Sequence, residues 1–142
     1  MNNPSLRRAA AGLAGSALIA ALATAPTMAS TSQASRQLAG TYQTTIAHDP
    51  ALGGHLNGTW TITFTKNGAY TVKEDGRVGE RGKASITPNR ITFGHETGFL
   101  ACPTSGLYKW KLTGKRLKFS RIRDKSCPGR AGVLAHHFTR VG

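Results

Sequence analysis

The chain has 142 residues, a formal net charge of +13 from 19 Lys and Arg against 6 Asp and Glu, and two cysteines. That length suits one domain with an adequate but not generous core. Two cysteines without a Cys-x-x-Cys spacing argue against a reactive or metal-binding thiol pair.

Residues 1–8 carry Arg7 and Arg8 and no acid, and residues 9–23 form an Ala/Leu-rich apolar run. Thr27-Met28-Ala29 then offers a cleavage site before Ser30. This three-part pattern predicts a secretory signal peptide over residues 1–29. Its apolar run falls short of the roughly 20 residues a transmembrane helix needs. The flanks of Arg7-Arg8 match a twin-arginine signal poorly, and no cysteine near the cleavage site supports a lipid anchor. The exported chain keeps 17 basic residues against 6 acidic ones. In an oxidising compartment Cys102 and Cys127 are expected to pair. The loop they close is worth roughly 3 kcal/mol in the chain-entropy account.

Residues 30–39, rich in Ser, Thr, Gln and Ala without a period, read as a mobile leader to a domain over residues 40–142. From Gly40 onward period-two alternation dominates. Tyr42, Thr44 and Ile46 share one face of a first strand, and a Pro- and Gly-broken loop carries His48 and His55. Trp60, Ile62 and Phe64 oppose Thr59, Thr61, Thr63 and Thr65 on the second. Asn67-Gly68, a strong hairpin signal, leads to a third strand with Tyr70 and Val72. Asp75-Gly76 opens a polar fourth strand over residues 77–86, and Ile91 and Phe93 face inward on the fifth. A loop follows, then the clearest strand, residues 106–112, with Tyr108, Trp110 and Leu112 on one face and Lys109 and Lys111 on the other. Thr113-Gly114-Lys115 turns it back into Leu117 and Phe119, where a slip of alternation between Phe119 and Ile122 predicts a bulge or the strand's end. Residues 127–129 read as loop and 133–141 as the last strand. Eight short strands with these turns predict an all-β, antiparallel, up-and-down barrel.

The order of these elements resembles the lipocalin-like, or calycin, superfamily of secreted β-barrels. In that superfamily a Gly-x-Trp opens the first barrel strand and an Arg on the last strand packs across the indole. Gly58-Thr59-Trp60 and Arg140 match in chain order, and Gly40-Thr41-Tyr42 is a second candidate for the opening motif. Only the register that starts at Tyr42 counts eight strands, so barrel closure is expected between Tyr42 and Arg140. The segment from Cys102 through Gly106-Leu107-Tyr108-Lys109-Trp110 to Asp124, Cys127 and Arg130 also resembles small secreted bacterial proteins of this type. The resemblance implies a container for a small hydrophobic or aromatic molecule.

Trp60, Phe64, Tyr70, Tyr108, Trp110, Phe119 and His136 are the expected ligand-binding residues. A packed core needs the same residue types, so the pattern leaves a cup and a filled interior both open. The chain lacks the long apolar strands of a large cavity, and a small or shallow pocket is expected. Lys109, Lys111, Lys118, Arg121 and Arg123 fall in a basic stretch, from Lys109 to Arg130, whose one acid is Asp124. Such a patch attracts anionic envelope polymers, lipid headgroups or extracellular DNA through counterion release, and a solvated strand surface that keeps a secreted protein soluble carries the same residues. Its aromatics point to the other face, which argues against a specific nucleic-acid platform.

His136 and His137, adjacent on a strand, point to opposite sides and cannot share a metal, and no metal or cofactor is expected. The carboxylates fall mostly in turns, and no acid/base pair or nucleophile is evident, so catalysis is not expected. A protein-binding role, such as protease inhibition through the leader, is the alternative. A monomer without a transmembrane segment is expected throughout.

Overall fold

The computed structural model describes residues 27–142. The strands are β1 (Gly40–Ile46), β2 (Gly58–Phe64), β3 (Ala69–Glu74), β4 (Arg77–Ile86), β5 (Arg90–Thr97), β6 (Gly106–Thr113), β7 (Arg116–Arg123) and β8 (Phe138–Arg140). Each pairs antiparallel with the next, and β8 returns to β1 to close the barrel. Closure leaves no free sheet edge. The predicted strand count, order and hairpins are those observed.

Alternation makes the barrel because each strand puts large apolar groups on one face and β-branched or charged groups on the other. In β2, Trp60, Ile62 and Phe64 are buried while the threonines between them are partly exposed. Asp75 and Gly76 take φ of 47° and 82°, the paired left-handed geometry of a type I′ hairpin. The Asp75 carboxylate ties this turn to β2 by accepting a 2.8 Å hydrogen bond from the Thr59 amide.

Closure rests on Tyr42 and Arg140, which face each other in the β1–β8 ladder. The Arg140 guanidinium lies 5.3 Å from the centroid of the Tyr42 ring and donates from Nη2 to the Ala39 carbonyl. Tyr42, not Trp60, therefore stands beside the closing arginine, and Trp60 belongs to β2. A guanidinium over an aromatic face gains cation–π attraction without leaving water entirely.

Two segments depart from the sequence expectation. The expected mobile leader is helical: α1 (Thr27–Leu38) packs against β4 at the end of the barrel where β1 starts. Ala34 and Leu38, one turn apart, are buried, and Tyr42 donates its hydroxyl proton to the Leu38 carbonyl at 2.9 Å. Packing of two apolar side chains stabilises a segment whose composition carries no helical period. The expected signal peptide lies outside the described residues up to residue 26, and its cleavage point falls in the first turn of α1.

The expected last strand is shorter than its pattern. Residues 128–134 form α2 (Pro128–Leu134), with the proline in the first turn, where its fixed φ and missing N–H suit a helix. Only Phe138–Arg140 remain as β8, enough to join β7 to β1. Of the two readings of the slip in β7, a bulge or the strand's end, the bulge is present. Tyr108 pairs with Arg121 and Leu107 with Arg123, leaving Ile122 unmatched and exposed.

Candidate functional site

The barrel is filled at one end and hollow at the other. Phe93 is the hub of the filled part, in tilted or edge-on contact with Phe64, Tyr70, Tyr108 and Phe119 at centroid distances of 5.2 to 6.2 Å. Above it, toward the loops, a cavity of about 390 Å³ remains. Trp60, Ile62, Tyr70, Val72 and Phe93 line its wall, and Leu56, Leu100, Val133 and Leu134 reach it from loops and α2. That volume lies at the low end of the range for small-molecule pockets, roughly 300–1,000 Å³. The loop from β1 to β2, with a kinked 3-10 turn at Ala51–Gly54, adds Leu52 and His55. The disulfide between Cys102 and Cys127, with Cα atoms 5.7 Å apart, ties the β5–β6 loop to the start of α2.

The expected ligand residues therefore separate. Trp60 and Tyr70 line the cavity. Phe64 belongs to the aromatic filling beneath it. Tyr108 and Phe119 reach a second recess on the other flank of α2, beside Ser120 and Arg121. Trp110 is buried at the end closed by α1, where its indole N–H donates to the Thr87 carbonyl at 2.8 Å. His136 is not inward: residues 135–137 are not strand, and its Nε2 lies 3.0 Å from Asp49 Oδ2. Among the described residues, no group of three or more His, Cys, Asp or Glu is placed to hold a metal ion.

Sequence reasoning missed a carboxylate cluster beside the cavity. Glu80 is 5% exposed and Asp124 4%, and the Glu96 side chain is 1% exposed. Arg130, assigned by sequence to the exposed basic stretch, is inside with them. Its Nε donates to Asp124 Oδ2 at 2.7 Å, Nη2 to Asp124 Oδ1 at 3.0 Å and to the Thr104 carbonyl at 2.9 Å, and Nη1 to Glu96. Tyr108 donates to Asp124 at 2.5 Å and Tyr70 to Glu96 at 2.8 Å. The second Glu96 oxygen accepts from the Cys102 amide at 2.7 Å. Gly106 leaves room for this clamp, since a Cβ there would lie 2.7 Å from both Arg130 Nη2 and Asp124 Oδ2.

Each group titrates according to its surroundings. Burial pulls the Asp124 carboxyl upward, but hydrogen bonds from Arg130 and Tyr108 overcome it and hold the group below the usual range. Burial and then the adjacent carboxylates raise the Tyr70 phenol, and burial with Asp124 raises Tyr108, so both stay protonated donors. Glu80 is pushed up to about 7, by burial first and by Glu96 second. The Tyr70 hydroxyl, whose one proton goes to Glu96, offsets part of that rise.

Part of this cluster had a readable signal. Counting back from Ile86 in steps of two reaches Ala84, Gly82 and Glu80, which places Glu80 inward on a strand that otherwise reads as polar. Glu96 had none. Stepping from Ile91 and Phe93 puts His95 inward, but His95 takes φ of 51° in a bulge opposite β4. That extra residue turns His95 outward and Glu96 inward.

The outer face of β6 and β7 is basic as expected. Lys109, Lys111, Lys118, Arg121 and Arg123 are all exposed, and Lys111 stands opposite Lys118.

Fold and site define a small closed antiparallel barrel with an internal apolar chamber and a buried carboxylate–arginine cluster on its wall. No family model, no curated protein and no solved structure matches the chain. Among the described residues no helix is long and apolar enough to cross a membrane.

Proposed function

We propose that this protein is an exported, lipocalin-like carrier that holds one small apolar or aromatic molecule inside its barrel and does no chemistry on it. The observation that carries this reading is the chamber of about 390 Å³ above Phe93, walled by Trp60, Ile62, Val72, Leu100 and Val133. Apolar area withdrawn from water supplies the binding energy, at about 25 cal/mol per Å². The disulfide is in keeping with an oxidising compartment. Native mass spectrometry of the protein from its own host tests the reading. A stable added mass identifies the cargo class, and a bare mass that no offered apolar probe changes counts against it.

A second reading is attachment to anionic polymers of the cell envelope through the ribbon of β6 and β7. Three of the chain's six carboxylates, Glu80, Glu96 and Asp124, are buried, so the exterior is more basic than the composition implies. For protease inhibition, α1 would first have to undock from the barrel to serve as an arm.

A further inference from the structure

The chamber wall carries a carboxyl that no cation answers. Glu80 lines the cavity while almost fully buried. Among the described residues no Lys, Arg or His forms an ion pair with it. Arg130, the cation whose charge does act on it, directs its hydrogen bonds to Glu96, Asp124 and the Thr104 carbonyl. With one guanidinium set between two other carboxylates, the buried group carries a net negative charge before Glu80 ionises. Glu74 adds a second acid to the chamber lining.

Resting on the carrier reading above, we propose that the chamber selects small primary amines with an aromatic or aliphatic body. The ammonium group donates to the Glu80 carboxylate and to the Tyr70 hydroxyl oxygen, and the body lies against Trp60, Ile62 and Phe93. An ammonium ion supplies the countercharge that Glu80 lacks, and a hydrogen bond between two ionised groups is roughly twice as strong as a neutral one. A neutral alcohol of the same shape keeps the apolar contacts and loses the charge pairing. A carboxylate of the same shape meets like charge from Glu80, Glu96 and Glu74. The exterior is basic, so the amine is recognised inside the chamber and not drawn in by the outer field.

Matched titrations by calorimetry at about pH 8 test this: 2-phenylethylamine, 2-phenylethanol and 3-phenylpropionate, with octylamine, 1-octanol and octanoate as the aliphatic set. The expected order in at least one set is amine, then alcohol, then carboxylate, with the amine favoured about tenfold or more over the alcohol. Glu80→Gln should erase that preference while alcohol affinity stays within about threefold. If Glu80→Gln disturbs the fold, the wild-type order alone decides. Alcohols binding as tightly as amines would overturn the amine assignment and leave the carrier reading standing. An amine preference that survives in a folded Glu80→Gln protein would also overturn it. Failure of every compound in both sets would remove the carrier reading and the amine assignment together.

Discussion

Arg130 grips Asp124 through two hydrogen bonds, Nε to Oδ2 at 2.7 Å and Nη2 to Oδ1 at 3.0 Å, and Cys127 stands midway between them in the chain. The ion pair and the disulfide thus anchor the same short segment, α2 and its approach, over the open end of the barrel. Removing Arg130 leaves two buried carboxylates without their cation.

Arg130→Met should lower stability by about 3–5 kcal/mol near neutral pH, the usual cost of stranding buried charge. Asp124 titrates below its unfolded value, so its contribution is present above that value and fades as pH falls through the lower, folded one. The gap between wild type and Arg130→Met should therefore narrow in acid. Urea denaturation from about pH 3 to pH 7 measures it, and a gap independent of pH would contradict the pairing.

Glu80 has the opposite sign. Its folded value of about 7 lies above the ordinary 4.5, so the folded state holds the proton more tightly. Stability should fall as pH rises from about 4.5 through 7, by at most about 3 kcal/mol. The groups that act on Glu80 are Glu96 from β5, Tyr70 from β3 and Arg130 from α2, and Glu74 and His55 line the same chamber. Glu80→Gln should flatten the decline, as read from denaturation midpoints at about pH 5 and pH 8. An unchanged slope would show that Glu80 is not the group behind the decline.

Breaking the disulfide by Cys102→Ser with Cys127→Ser should cost about 2–4 kcal/mol. Because the bridge ties α2 to the β5–β6 loop, it should also quicken release of any bound probe. Stopped-flow displacement compares the rates. Equal rates would mean that α2 keeps its place without the bridge.

The two tryptophans should respond differently. Trp60 lines the chamber, so Trp60→Phe should weaken ligand binding several-fold. Trp110 is bonded to the Thr87 carbonyl at the closed end, so Trp110→Phe should cost about 1–3 kcal/mol of stability and leave affinity unchanged. Calorimetry and thermal melting on both variants separate the roles.

Reversing Lys109, Lys111 and Lys118 to Glu should abolish retention on a polyanionic matrix in low salt. It exchanges one like-charge pair, Lys111 opposite Lys118, for another on the same exposed face, so the fold should be little affected. Retention unchanged from wild type would exclude the ribbon as an attachment surface.

The strand order, the hairpin turns and the cysteine pairing were all determined by the sequence itself. Each depends on neighbours a few residues apart, on alternation and turn chemistry, or on having just two cysteines to join. Local pattern also assigned Tyr42 and Arg140 to closure, because that register alone completes eight strands. Only the tertiary structure decided that one end of the barrel is filled by rings around Phe93 while the other is hollow, since aromatic residues serve either purpose until their summed volume meets the barrel's width. It likewise made α1 and α2 helices, through burial of Ala34, Leu38, Val133 and Leu134 against distant strands. The inward turn of Glu96 was a further such decision: one extra residue at His95 reverses every side chain that follows on a strand, and whether a strand takes that residue is set by the partner it pairs with.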